Sequence, residues 1–320
     1  MMKHLTSLAT LVLSACARAH AGGLGLDEIG IPFTAKKVEI VWNMATNRLP
    51  AMMNVYKVVP ARFSPEVISN VVALGEFAEP GKVRNALAPA SEGKDCLFEE
   101  VPAHNAISIS PHRGRIFYFN DKVIASWGQP VTGLPSENEV LELSLELAKR
   151  LGIKVSEFAR KPDSDAFLCW RDRRTQGGNI DGKLTKRETA RGISLRRAIG
   201  GVSFQGVGLC GGIYVNFGNN GKIAQLDFSW RNLELKRSYP VLSRDEIAKR
   251  IKSGKAAIQI EDADPAKIRK LTITSVMPHY RGQTSAEVQT SVYPFAAIEA
   301  TADLGDKTLP VTLLYPIIKE

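Results

Sequence analysis

The sequence predicts an α+β protein built of tandem units, each a helix packed on a curved antiparallel sheet. Three observations predict it. Capped amphipathic helices are few, and stretches that alternate apolar and polar residues outnumber them. Two such stretches meet across Pro111-His112-Arg113-Gly114, and two more across Asn219-Asn220-Gly221; both are turn signals between antiparallel partners. In each half of the chain a helix comes first, then a long connection, then the hairpin. This is a repeat of pattern rather than of sequence identity. Helices on one face of antiparallel strands define the class.

The N-terminus is set apart from the fold. Lys3 and His4 precede an uncharged apolar run from Leu5 to Ala15. That run is too short to span a bilayer, which takes roughly 20 residues, and reads as a secretory signal peptide. Two endings stay open. Ala19-His20-Ala21 offers small residues at a cleavage site, which makes residues 1–21 the signal. Leu13-Ser14-Ala15-Cys16 resembles a lipobox, which makes residues 1–15 the signal and Cys16 the lipidated first residue. Residues 22–34 are Gly-rich and weakly patterned, and read as a linker. The expected home is periplasmic or extracellular, free or anchored through Cys16, with no transmembrane span in the mature chain.

An N-terminal α+β domain is expected over residues 35–130. Lys37 to Trp42 and Met52 to Val59 alternate as strands. Ser64-Pro65-Glu66 supplies an N-cap, a proline at the first helical position and an acid in the first turn; the helix it opens stops at Gly75. Ile107 and Ile109 begin a strand whose partner is Ile116 to Phe119, and Val123 to Trp127 continues the sheet. A boundary is expected between Gly128 and Pro135, and a second domain over residues 135–320. Ser136 and Glu139 form a capping box. Val140, Leu143, Leu147 and Leu151 then make one helical face, ended by Gly152. Ile213, Val215 and Phe217 alternate, and Ile223, Leu226, Phe228 and Trp230 return with a break at Ala224 that predicts a bulge. Ser243 and Glu246 cap a short helix that stops at Gly254. Leu271 to Met277, Val288 to Ala300 and Leu309 to Ile318 close the chain, and Pro294, Pro310 and Pro316 predict edge or irregular strands among them.

The runs "GGIYVNFGNNGKIAQLDFSWRNLE" and "YPVLSRDEIAKRIKSGKA" resemble the PepSY-like and YycI-type exported modules of bacteria. Gly221, Trp230, Tyr239-Pro240, Ser243 and Gly254 sit where that pattern has its turn, strand end, aromatic-Pro segment, helix cap and helix stop. "RAIGGVSFQGVGL" fits as a strand feeding the hairpin, and "QTSVYPFAAIEA" as a closing strand. The resemblance covers roughly residues 135–318 and implies a cystatin-like arrangement. It also implies a role in binding, inhibiting or regulating a protein partner at the envelope, with no catalytic residues and no cofactor. The aromatics Trp230, Tyr214 and Phe228 are its expected core or groove residues.

One departure from the pattern is a long basic insert over residues 171–197. From Lys149 to Arg197 there are 14 Lys and Arg against 6 Asp and Glu, and this surplus accounts for most of the formal net charge of +9. Arg171, Arg173, Arg174, Lys186, Arg187, Arg191, Arg196 and Arg197 are the candidate anion-binding patch. Its partner would be anionic lipid or wall polymer; the compartment argues against nucleic acid. The rival reading is a solvated face.

Other motifs carry less. Gly206-Val-Gly208-Leu-Cys-Gly211 matches a phosphate-loop pattern, but Ile213 to Phe217 alternates as a strand, and a phosphate site needs a helix there. Residues 177–188 place Asn179, Asp181, Gly182, Leu184 and Glu188 as a calcium loop would. Gly177 replaces the first ligand and cations surround the run, so a polar turn is the reading. His104, His112 and His279 show no metal-ligand spacing, and Ser203 lacks the second glycine of a nucleophile elbow. Cys96, Cys169 and Cys210 leave at least one thiol without an internal partner, and their pairing stays open. The expectation is therefore an exported, non-catalytic binding or regulatory protein. The alternatives are an anionic-polymer or lipid binder acting through the basic insert, and a hydrolase whose site only geometry would reveal.

Overall fold

The computed structural model describes residues 31–33, 37–44, 49–101, 104–126, 128–180, 183–205, 211–283 and 288–319. The signal peptide, its two cleavage sites, Cys16 and Cys210 lie outside the described residues. The fold mixes α and β, is mostly sheet and has few helices.

The first stretch holds β1 (Ile31–Phe33), β2 (Glu39–Trp42), β3 (Met52–Val59), α1 (Pro65–Val72), α2 (Pro80–Leu87), β4 (Cys96–Glu100), β5 (Asn105–Ser110) and β6 (Arg115–Asn120). The middle holds α3 (Glu137–Arg150), β7 (Cys169–Ile180), β8 (Lys183–Arg196), β9 (Ala198–Ile199), β10 (Val202–Gln205), β11 (Gly212–Phe217) and β12 (Ile223–Ser229). The last stretch holds β13 (Asn232–Pro240), α4 (Arg244–Lys252), β14 (Ala256–Gln259), β15 (Lys270–Arg281), β16 (Ser291–Val292), β17 (Pro294–Asp303) and β18 (Thr308–Pro316).

Local signals explain most helix ends. The Ser64 hydroxyl accepts from the Val67 amide, and Ser136 and Ser243 each close a reciprocal capping box with Glu139 and Glu246. Of the helical face expected for α3, Val140, Leu147 and Leu151 are buried but Leu143 is exposed; Ser144 is buried in its place, its hydroxyl donating to the Val140 carbonyl. The short α2 has no side-chain cap at Glu79 and was not legible in the sequence.

Three sheets organise the strands. A seven-stranded sheet runs β4-β5-β6-β12-β11-β8-β7; an eight-stranded sheet runs β1-β14-β18-β17-β15-β10-β9 with β2 also on β15; and a small sheet runs β13-β3-β16. One core joins the seven-stranded sheet (Ile107, Ile116, Ile193, Ile213, Leu226) to Ile68 and Val71 of α1, Val83 of α2 and Leu147 of α3. A second joins Ile273, Ile298 and Leu313 of the eight-stranded sheet to Ile247 and Ile251 of α4.

Several expectations are corrected. The boundary at 128–135 does not divide the sheets: β6 pairs β12 from Gln225↔Phe119 to Ser229↔Arg115, so both hairpins lie side by side in one sheet. Residues 31–33, placed in the linker, form β1 against Ala256–Ile258 of β14. Val123 to Trp127 does not extend the sheet among its described residues; Asp121–Val123 is a 3-10 turn. The segment 202–205 does not feed the hairpin. It crosses to the other sheet and runs parallel to β15, and β8 takes its place beside β11. Strands β17 and β18 are interior, not edge. Their prolines are tolerated because Pro294 opens β17, and β14 pairs only Thr312–Leu314 of β18, short of Pro310 and Pro316.

The largest correction concerns the basic insert, which is mostly a β-hairpin, β7–β8, with β8 inside the sheet. Leu195 and Ile193 are fully buried on one face, alternating with Ser194 and Gly192. Glycine is required where β11 enters: Gly212 has φ +154°, and a Cβ there would lie 2.2 Å from the Leu195 carbonyl oxygen. The bulge expected at Ala224 is present, since Asn216 pairs Gln225 and Phe217 pairs Ile223 with Ala224 left over.

Cys96 and Cys169 lie on β4 and β7, the two outer strands of the seven-stranded sheet. Six inter-strand spacings put them about 29 Å apart along the sheet, so they do not pair with each other.

Because β6–β12 pairing crosses residues 128–135, cutting there should not free two domains. Limited proteolysis in that stretch is expected to give fragments that co-elute in gel filtration and separate only in denaturant. Fragments that separate in native buffer would contradict the shared sheet.

Candidate functional site

The eight cations read as one anion patch divide into several groups. Arg171 and Arg173 on β7 both hold the Glu137 carboxylate at the N-terminus of α3. Arg191 grips Glu188 with two charge-assisted bonds of 2.7 and 2.8 Å and donates to the Pro135 carbonyl. These cations hold both acids below the usual carboxylate range, Arg173 contributing most at Glu137 and Arg191 at Glu188. Arg187 donates to the carbonyls of Ser126 and Gln129. Arg196 lies over the Trp170 ring at 4.5 Å. Arg197 is largely buried between Trp230 and Phe204. Arg174 and Lys186 are exposed. The hairpin that carries the positive surplus thus spends most of it on internal contacts.

The other sequence candidates also find their places. Gly206 to Cys210 lies outside the described residues, and Gly212 leads into β11, a strand. The described part of the calcium-like run is paired in β7 and β8, with Gly177 opposite Lys186. Phe228 is a core residue, and Trp230 stacks on it at 6.2 Å. Tyr214 lies on the other face of the sheet and donates to Asp172 at 2.9 Å; burial and that carboxylate push its pKa up.

Ser203 and His279, 76 residues apart, meet in the floor of a cleft of about 980 Å³. The strand registers build that floor. On the face of the eight-stranded sheet away from its core, Met277, Ala297 and Leu314 form one cross-strand row. One row along lie His279 and Phe295; on the other side lie Glu299, Thr312 and Gln259. The loop residues Phe158, Arg160, Lys161 and Leu168 and the β9–β10 turn with Gly200 and Gly201 complete the walls. The lining is mostly apolar.

β10 runs parallel to β15 with Phe204 opposite Tyr280 and Gln205 opposite Arg281, so Ser203 falls beside His279. The Ser203 hydroxyl is 2.9 Å from His279 Nδ1. Burial, and to a lesser degree the positive charge of Arg196, pulls the imidazole down to about 4, against a hydrogen bond to the Ser203 backbone. The imidazole is therefore neutral at pH 7. Arg160 is anchored through the Asp165 backbone carbonyl and lies 4.6 Å over Phe167. Arg281 lies 5.7 Å over Phe295, at the His279 end of the floor. The cleft joins parts that no local pattern links, and so lies beyond sequence reading. Among the described residues no group of three or more His, Cys, Asp or Glu could hold a metal ion, and no helix is long and apolar enough to cross a membrane.

No protein-family model and no curated protein matches the chain. A solved structure of an uncharacterized protein from Eubacterium rectale ATCC 33656 is similar over 88% of this chain and 89% of that one, at 9% identity and a TM-score of 0.39.

The His279 shift makes stability depend on pH. Its proton leaves near pH 4 in the folded chain and near 6.5 when unfolded. Between those values the unfolded chain binds more protons. The contribution is therefore intact above about 6.5, declines as pH falls, and levels off below about 4. The loss totals about 3 kcal/mol. His279→Gln is expected to flatten that part of the profile, measured as denaturation midpoints from pH 7 to 4; a parallel profile in the variant would rule the assignment out.

Proposed function

We propose that the protein is an exported, non-catalytic binding protein of the cell envelope that holds its ligand in the cleft over the eight-stranded sheet. The observation that carries this reading is the cleft itself, at the top of the roughly 300–1,000 Å³ range of ligand sites, mostly apolar, with a few convergent polar groups. The signal-peptide pattern supports export. The resemblance to PepSY-like and YycI-type modules supports a binding role, and the two cores, each combining strands with helical residues, support the tandem helix-on-sheet description.

The hydrolase alternative draws on the Ser203–His279 contact, and three details weigh against it. A base with a pKa near 4 is a weak proton acceptor at neutral pH. Among the described residues no carboxylate orients the ring. The contact is also what parallel register between β10 and β15 produces by itself. The alternative of an anionic binder acting through the hairpin has less support, because most of its cations are engaged with Glu137, Glu188, backbone carbonyls and Trp170, leaving Arg174 and Lys186 exposed.

The test pairs two variants. Native envelope extract is expected to raise the melting temperature of the full chain by several degrees, to do the same for Ser203→Ala, and to leave Ala297→Trp unmoved. Hydrolysis of p-nitrophenyl esters should stay at background throughout. Ester hydrolysis that Ser203→Ala abolishes would replace the binding reading with the hydrolase; an equal shift in Ala297→Trp would move the site elsewhere.

A further inference from the structure

The residues around the cleft specify a ligand chemistry, which rests on the binding reading and adds what is bound. The cleft is electrically lopsided. Arg160, Lys161 and Arg281 line it, Glu299 is the one acid among its described lining residues, and His279 is neutral at pH 7. Among the described residues neither Arg160 nor Lys161 makes an ion pair, and both are exposed at the wall. The strand registers set Arg281 and Glu299 at opposite ends of the floor. Arg281 stands at the His279–Phe295 end. The apolar row of Met277, Ala297 and Leu314 comes next, spanning three strands and so about 10 Å. The loop residues Phe158 and Leu168 also line the cleft.

A ligand that satisfies this surface has an apolar body to lie on the row and an acidic group to meet the cations. A purely apolar ligand leaves Arg160 and Lys161 without a counter-charge. A small hydrophilic anion leaves the floor wet, and burying apolar surface contributes about 25 cal/mol per Å². A cationic amphiphile would face like charges. A two-sided pattern of this kind, apolar floor and cationic wall, is charge complementarity to one class of molecule. We propose that the cleft binds a single-chain anionic amphiphile, an acyl chain ending in a carboxylate or phosphate, with the chain across Met277, Ala297 and Leu314 and the acidic head at Arg160, Lys161 and Arg281. The proposed export to the envelope, where acyl lipids are the surrounding material, would put the cleft beside such molecules.

The probe is dansyl-labelled undecanoic acid, titrated into the full chain and followed by its emission. The expected result is saturable binding that dodecanoate displaces and that dodecanol displaces at least tenfold more weakly. Arg160→Glu with Lys161→Glu is expected to weaken the probe about tenfold and leave dodecanol unchanged. Ala297→Trp should abolish binding. Met277→Trp fills the same row from the next strand and serves if circular dichroism shows the first variant misfolded. Equal competition by dodecanol, or no effect of the charge reversal, would overturn the anionic-head inference while leaving the cleft as a binding site. No saturable probe binding, with the extract-induced stabilisation intact, would overturn the amphiphile and keep the binding reading. Probe binding that survives both tryptophan variants would overturn the placement altogether.

Discussion

The guanidinium of Arg197 is the interaction on which the arrangement turns. It sits where β8 ends and the chain crosses from one sheet to the other. Nη1 donates to the Arg231 carbonyl at 2.6 Å, Nη2 lies 3.7 Å from Glu157, and the Trp230 and Phe204 rings stand 4.8 and 5.8 Å away. Phe204 belongs to one core, and Trp230 packs against the other. Burial makes the charged form costly and lowers its pKa, with Glu157 opposing. Such a cation is tolerated because Nη1 and Nη2 find partners, while Nε is buried without a hydrogen-bond partner among the described residues; a charge-assisted hydrogen bond contributes about 1.5–3 kcal/mol, and stripping a partner from a buried charge costs about 3–5. Arg231 continues the junction, buried itself and donating to the Gln283 carbonyl. One polar seam thereby ties β8, the end of β12 and the segment after β15.

The cleft is a consequence of that crossing. After Arg197 the chain makes β9 and β10, and β10 docks on β15 in parallel. Parallel register brings Ser203 to His279. The 156–168 loop is tied to the same place by the Phe158↔Arg197 bridge and the Ala159 amide on the Arg196 carbonyl. The seven-stranded sheet thus lends a wall to a floor made by the other. Folding and site formation are coupled, because the floor and part of the wall come from different sheets.

The hairpin β7–β8 shows why charge in a sequence is a poor guide to charge on a surface. Read linearly, residues 171–197 are a positive run. Folded, strand alternation sends Arg171, Arg173 and Arg191 to the side of α3, where Glu137 and Glu188 neutralise them. It sends Arg196 to the opposite side, over Trp170. The cations that line the cleft, Arg160, Lys161 and Arg281, carry no local signal, because nothing near Arg160 in the sequence announces that Arg281 will stand beside the same cavity.

What the sequence by itself determined is local. The caps at Ser64, Ser136 and Ser243, the turns at Gly114 and Asn219–Gly221, the bulge at Ala224 and the alternation of β3, β6, β11 and β12 were all legible, because each rests on hydrogen bonds or side-chain periodicity within a few residues. The tertiary structure alone decided which strands pair beyond those two hairpins. The union of both hairpins through β6 and β12, the departure of β10 to the other sheet and the pairing of β3 with β13 depend on partners far away in the chain. Interior placement of β17 and β18 despite their prolines depends likewise on neighbours on both sides, β15 and β14. Strand pairing of that kind is set by which buried faces can be shared, and sharing is a property of the assembled cores. The Ser203–His279 floor belongs to that second class: two unremarkable residues made into a site by register.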